Sequence, residues 1–170
     1  MTTSIVSDAF RHHVWATQLV LDACAGLTDE QLGAPSPGTY GPIIDTLRHI
    51  VQADSFYLRI FTDGRVPELD ADNTLSVAEL KAAMAAYGPE YDALLAGDLD
   101  PEAWVIERGS DGSEFHSKMG LRLAQVPHHG SDHRSQVCTA LTSLGITPPE
   151  IDLWAYGEAT ARTRDVPPSA

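Results

Sequence analysis

Apolar residues recur at steps of three and four along most of the chain, the period of helices that bury one face. Val6, Phe10, Val14, Thr17, Leu21 and Cys24 share one line and predict a first helix from about Ser4 to Cys24, ended by Gly26. Thr28 opens a short helical turn over Leu27 to Leu32, and a Pro/Gly-rich loop runs from Gly33 to Gly41. Pro42 suits the first position of a second helix, where its missing N–H costs nothing. Ile43, Leu47, Ile50, Val51, Leu58 and Phe61 carry that stripe to about Thr62, and Thr62-Asp63-Gly64 closes it, with a loop through Asn73. Ser76 and Glu79 have the spacing of a capping box. They head a third helix with Val77, Leu80, Met84, Tyr87, Tyr91 and Leu94 on its apolar face and Pro89 as a candidate kink.

The period then changes. Asp100-Pro101-Glu102 suggests a brief helical turn, and Trp104–Glu107 and Glu114–Lys118 flank a Gly/Ser/Asp turn, the pattern of a small β-hairpin. A fourth long helix is expected over Met119 to Leu144, stopping at Gly145; Pro127 must either kink it or mark its start. A short segment, Ile151 to Tyr156, follows Pro148 and Pro149, and the polar end of the chain is expected to fray. The expectation is an all-α fold, a four-helix bundle with a small β-hairpin before the last long helix. It forms a single domain over residues 1–156, followed by a polar tail over 157–170.

Charge and cysteine usage narrow the partners. A formal net charge of -13 without a basic stripe argues against nucleic acid and against an anionic membrane surface. No apolar run approaches the ~18 residues of a membrane span. Met1 to Asp8 lacks the regions of a signal peptide, and Cys24 and Cys138 form no C-x-x-C pair, so a reducing, cytoplasmic location is expected.

Chemistry concentrates in His128-His129-Gly130-Ser131-Asp132-His133-Arg134-Ser135-Gln136. His129 and His133 lie four apart, on the same helical line as Val126, Val137, Ala140 and Leu144, so both point inward. Alone, such a pair is compatible with a metal site or with two hydrogen-bonded core histidines. His49, in the second helix, would by itself be an ordinary core histidine. Taken with the facing pair it becomes a third ligand, and three imidazoles leave a divalent metal with open positions. His128 and Asp132 fall to the side of that line; Asp132 or Asp45 could hold an imidazole N–H. His13 lies closer to the apolar face than His12, and His116 belongs to the hairpin. The chain has no Walker motif, G-x-S-x-G elbow, H-E-x-x-H or di-iron E-x-x-H pairing.

These parts resemble the DinB/YfiT-like superfamily of small metal-binding four-helix proteins. The likeness is carried by Asp8 to Trp15, Leu27 to Leu32, Leu47-Arg48-His49-Ile50, His129 to Gln136 and Leu144 to Pro149 with Asp152. Ser135 stands where the family pattern has glycine. The resemblance implies metal ligation by His49, His129 and His133; three histidines suit zinc, nickel, copper or iron, and zinc or nickel is expected. It also implies a transferase that activates a low-molecular-weight thiol, of mycothiol or bacillithiol type, toward a small-molecule electrophile, and a homodimer. Trp154, Tyr156 and His13 are then expected as walls of the cofactor pocket. A metal-dependent hydrolase and a non-catalytic metal- or ligand-binding stress-response protein are the alternatives.

Overall fold

The computed structural model describes residues 4–70, 72 and 74–166. The predicted helices and hairpin form in the predicted order, α1 (Ile5–Cys24), α2 (Asp29–Leu32), α3 (Ile43–Phe61), α4 (Val77–Leu95), β1 (Trp104–Arg108), β2 (Glu114–Lys118) and α5 (Met119–Ser143), and the segment after Pro149, which the sequence left without an assigned element, holds a further short helix, α6 (Leu153–Ala159). The fold is all-α apart from the antiparallel β1–β2 hairpin, in which Ile106 faces His116. Among the loop residues, Asn73 lies outside the described residues, as does Ala71.

Local chemistry explains where the helices begin. Ser4, Thr28 and Ser76 each accept from the backbone N–H three residues on, while Ser7, Gln31 and Glu79 reach back to the cap. Each reciprocal pair satisfies two donors that a helix start would otherwise leave bare. Asp152 caps α6 by accepting from Trp154 and Ala155. At the other end of α3, Asp63 (φ 51°) and Gly64 (φ 81°) turn left-handed, and the Gly64 N–H reaches the Arg59 carbonyl at 2.7 Å.

Two expectations are refined. Residues 100–102 form a turn and not a helix: the Asp100 side chain accepts from the Glu102 N–H at 2.9 Å, and its carbonyl accepts from Ala103. Pro127 does not mark the start of the last long helix, because α5 begins at Met119 and runs through it. That early start is possible because the segment before the hairpin caps it: Met119 and Gly120 donate their N–H groups to the carbonyls of Ala103 and Pro101, both at 2.9 Å. Pro89 likewise sits inside α4 without ending it.

The four long helices close a ring in which α1 packs on α4 and α5, and α3 packs on the same two. α1 and α3 are therefore diagonal, and so are α4 and α5. The core inside the ring is continuous, with Val20, Leu21, Leu47, Leu58, Leu80, Met84 and Leu141 fully enclosed. Beyond Tyr156, α6 continues to Ala159, and Arg162 pairs with Asp8 at the start of α1, so the segment is tied down at least to that point. The rest of the polar end expected to fray, residues 167–170, lies outside the described set. No described helix is long and apolar enough to cross a membrane.

Replacing Ser76 by alanine should remove the α4 cap and lower stability by about 1 kcal/mol. Urea denaturation should show an earlier midpoint with an unchanged slope.

Candidate metal centre

His49 comes from α3, and His129 and His133 from successive turns of α5. These two helices pack directly on each other. The ligand-capable nitrogens of the three residues all lie within 4.8 Å of one another, and the Nε2 atoms of His49 and His129 are 3.0 Å apart. A tetrahedral ion with bonds near 2.05 Å would place two such nitrogens roughly 3.3 Å apart, so the His49–His129 pair needs only a slight spreading, and any pair near the 4.8 Å bound has to close onto the ion. The three ring centroids form a compact triangle with sides of 4.8, 4.7 and 4.5 Å. Among the described residues this is the one group of three that can hold a metal ion.

Burial favours the neutral form of His49 and His129, the form that binds metal. Burial, reinforced by the positive potential of His133 and His49, pushes His129 down to about 4. Burial and His133 lower His49 as well.

The tautomer of His133 is also set. The Gln136 Oε1 accepts from the Tyr40 backbone N–H at 2.9 Å, which fixes this atom as the amide oxygen. The same oxygen lies 3.0 Å from His133 Nδ1, so that nitrogen carries the proton and Nε2 is left free. Neither Asp132 nor Asp45 fills this role; Asp132 is exposed, and Asp45 lies 3.5 Å from Arg48. The Tyr40 ring stacks flat on His49, with centroids 4.2 Å apart, and meets His133 edge-on. Beside it, Tyr40, Pro42, Asp45, Arg48, His49 and Gln52 wall a polar cleft of about 420 Å³.

His13 does not line an open cleft. It is 1% exposed, and its Nε2 lies 3.0 Å from both carboxylate oxygens of Asp54, itself 2% exposed. Trp154 and Tyr156 lie on α6 and share a different cleft with Asp8, Leu153 and Arg162, whose walls include none of the three histidines. Tyr156 packs instead on His12 and Trp15. His12 is 2.7 Å from the Ile151 carbonyl, His116 binds Glu114, and His128 is exposed.

The DinB family profile matches residues 1–166. The chain belongs to the DinB family. A search of curated proteins finds no match to it. The histidine trio falls where the DinB resemblance placed it, on facing helices. Sequence reasoning about this DinB chain did not assign roles to Tyr40, Gln136, Asp54 or Tyr91. Asp54 carried a detectable signal: it occupies the missing step between Ile50 and Leu58 on the buried stripe of α3.

The histidine shifts predict a pH dependence for the metal-free protein. Burial also lowers His12. An unfolded chain takes up protons on these groups near pH 6.5, whereas the folded chain holds them off to lower pH. The unfolded state therefore binds more protons in this window, and stability falls as pH drops. Urea midpoints measured from about pH 7 to about pH 5, above the usual carboxylate range, should decrease steadily. A flat profile would contradict neutral packing of these rings.

Proposed function

We propose that this DinB-family protein binds one divalent metal ion through His49, His129 and His133 and uses it to transfer a low-molecular-weight thiol, of mycothiol or bacillithiol type, to a small electrophile. The observation that carries the reading is the convergence of three imidazoles, two of them held neutral by burial, beside a cleft of small-molecule size. Three nitrogen donors suit zinc or nickel, and a three-ligand set leaves room for a further ligand.

A bound cation would supply Lewis acidity that favours the deprotonated form of a thiol. The chain's own residues do the rest. Gln136 accepts the Nδ1–H of His133 and leaves its Nε2 as the nitrogen free to bind a metal. Tyr40 braces His49 by stacking. The cleft walled by Asp45, Arg48 and Gln52 offers polar groups to the body of a hydrophilic thiol. The reading extends to a homodimer in a cytoplasmic compartment; two free cysteines support a reducing location.

Protein purified without a histidine tag should carry about one equivalent of metal, and His133→Ala should carry almost none. Absence of metal from the unaltered protein would overturn the site. The loaded protein should turn over electrophiles only when thiol is added; turnover without thiol would replace the transferase by a hydrolase, and no rate with any thiol would remove the transferase reading. Gln136→Ala should weaken metal binding about 10- to 100-fold in chelator competition. An unchanged affinity would remove the orienting role given to Gln136.

A further inference from the structure

Beneath the metal trio lies a second polar group that the metal reading does not use. Its centre is the buried His13 of α1. The Arg134 Nη1 lies 2.8 Å from His13 Nδ1, and arginine can only donate, so Nδ1 is the acceptor and the Nε2–H is directed at Asp54 of α3. Tyr91 of α4 donates its hydroxyl to the same carboxylate at 2.5 Å. Arg134 of α5 also reaches Thr17 Oγ1 at 3.1 Å. One hydrogen-bonded cluster therefore joins all four long helices.

Its relation to the metal site is set by helix geometry. Gly130 and Arg134 each follow a ligand histidine, so they form a second row of α5, about 100° round from His129 and His133. That second row grips His13. A Cβ built on Gly130 would lie 2.3 Å from the His13 ring and 2.6 Å from Arg134 Nη1. Only glycine lets the imidazole sit this close to the α5 backbone. On α3, Asp54 lies little more than one turn beyond His49. The cluster thus clamps the two ligand-bearing helices at the level of the ligands.

Such a cluster is a poor device for stability alone. Removing a carboxylate and a guanidinium from water is costly, and the Arg134 Nε–H is buried with no partner among the described residues. Apolar side chains of similar volume would hold the helices together at least as well. What the polar cluster adds is a single permitted register, since its donors and acceptors match in one alignment only.

We propose that His13, with Asp54, Tyr91 and Arg134, is a positioning unit for the metal ligands: it fixes the axial register of α5 against α1 and α3, and so the placement of His129 and His133 relative to His49. This inference rests on the metal-binding reading above.

The test compares His13→Gln and Tyr91→Phe with a core control, Leu21→Ala, in the full-length protein loaded with cobalt(II). Chelator competition should show His13→Gln weakened about tenfold or more, with altered cobalt absorption bands and unchanged helical circular dichroism. Tyr91→Phe keeps the ring that packs on Phe10 and loses only the hydroxyl, so a smaller loss of about threefold is expected. Leu21→Ala should lower the unfolding temperature and leave cobalt affinity and spectrum unchanged. Parental affinity and spectrum in both polar variants, with only a lower unfolding temperature, would reduce the cluster to a stability element and overturn the proposal. If His13→Gln fails to fold, Tyr91→Phe decides. If the unaltered protein binds no metal, the metal reading fails by itself, and imidazole ¹⁵N shifts of His129 and His133 in the metal-free protein decide the positioning claim. Movement in Tyr91→Phe but not in Leu21→Ala supports it, and no movement in Tyr91→Phe overturns it.

Discussion

A carboxylate buried where four helices meet has to be answered by donors from those helices, and in this protein much else follows from that constraint. Asp54 receives the Tyr91 hydroxyl and the His13 ring, and His13 in turn receives Arg134. The four helices cannot slide past one another without breaking a hydrogen bond in a place water does not reach. Apolar packing closes the bundle, since burial is non-directional and tolerates small shifts. The polar contacts choose one arrangement among those that packing would accept. The histidine trio sits beside this choice, on the same turns of α5 and little more than one turn away on α3.

The helical signature segment from His129 to Gln136 works on three fronts at once. One row, His129 and His133, turns its imidazoles to His49. The next row, Gly130 and Arg134, meets α1. Gln136 reaches across to the loop before α3. A single helix can do this because successive residues lie about 100° apart, so neighbours in sequence face different partners.

Much of this was legible in the sequence, and the limits have physical causes. Helix starts were readable because Ser76 with Glu79, and Thr28 with Gln31, satisfy the backbone locally and need no tertiary partner. The trio was readable because spacing of four and an inward register are properties of one helix each. The course of α5 through Pro127 was not readable, because its first N–H groups are satisfied by carbonyls from before the hairpin. The partners of His133 were equally hidden. Asp132 and Asp45 were reasonable candidates by charge, yet an uncharged amide one turn along the same helix does the work and simultaneously holds a backbone N–H 96 residues away in sequence. His13 was expected at a pocket wall from its place near the apolar face; burial against Gly130 encloses it instead.

Gln136 Oε1 serves two donors, the backbone of Tyr40 and the ring of His133. One oxygen shared in this way makes the loop and the imidazole a linked pair. The place of the Tyr40 backbone and the tautomer of His133 are therefore set by one and the same atom, and the wall of the cleft and a metal-ligating ring share a single point of attachment.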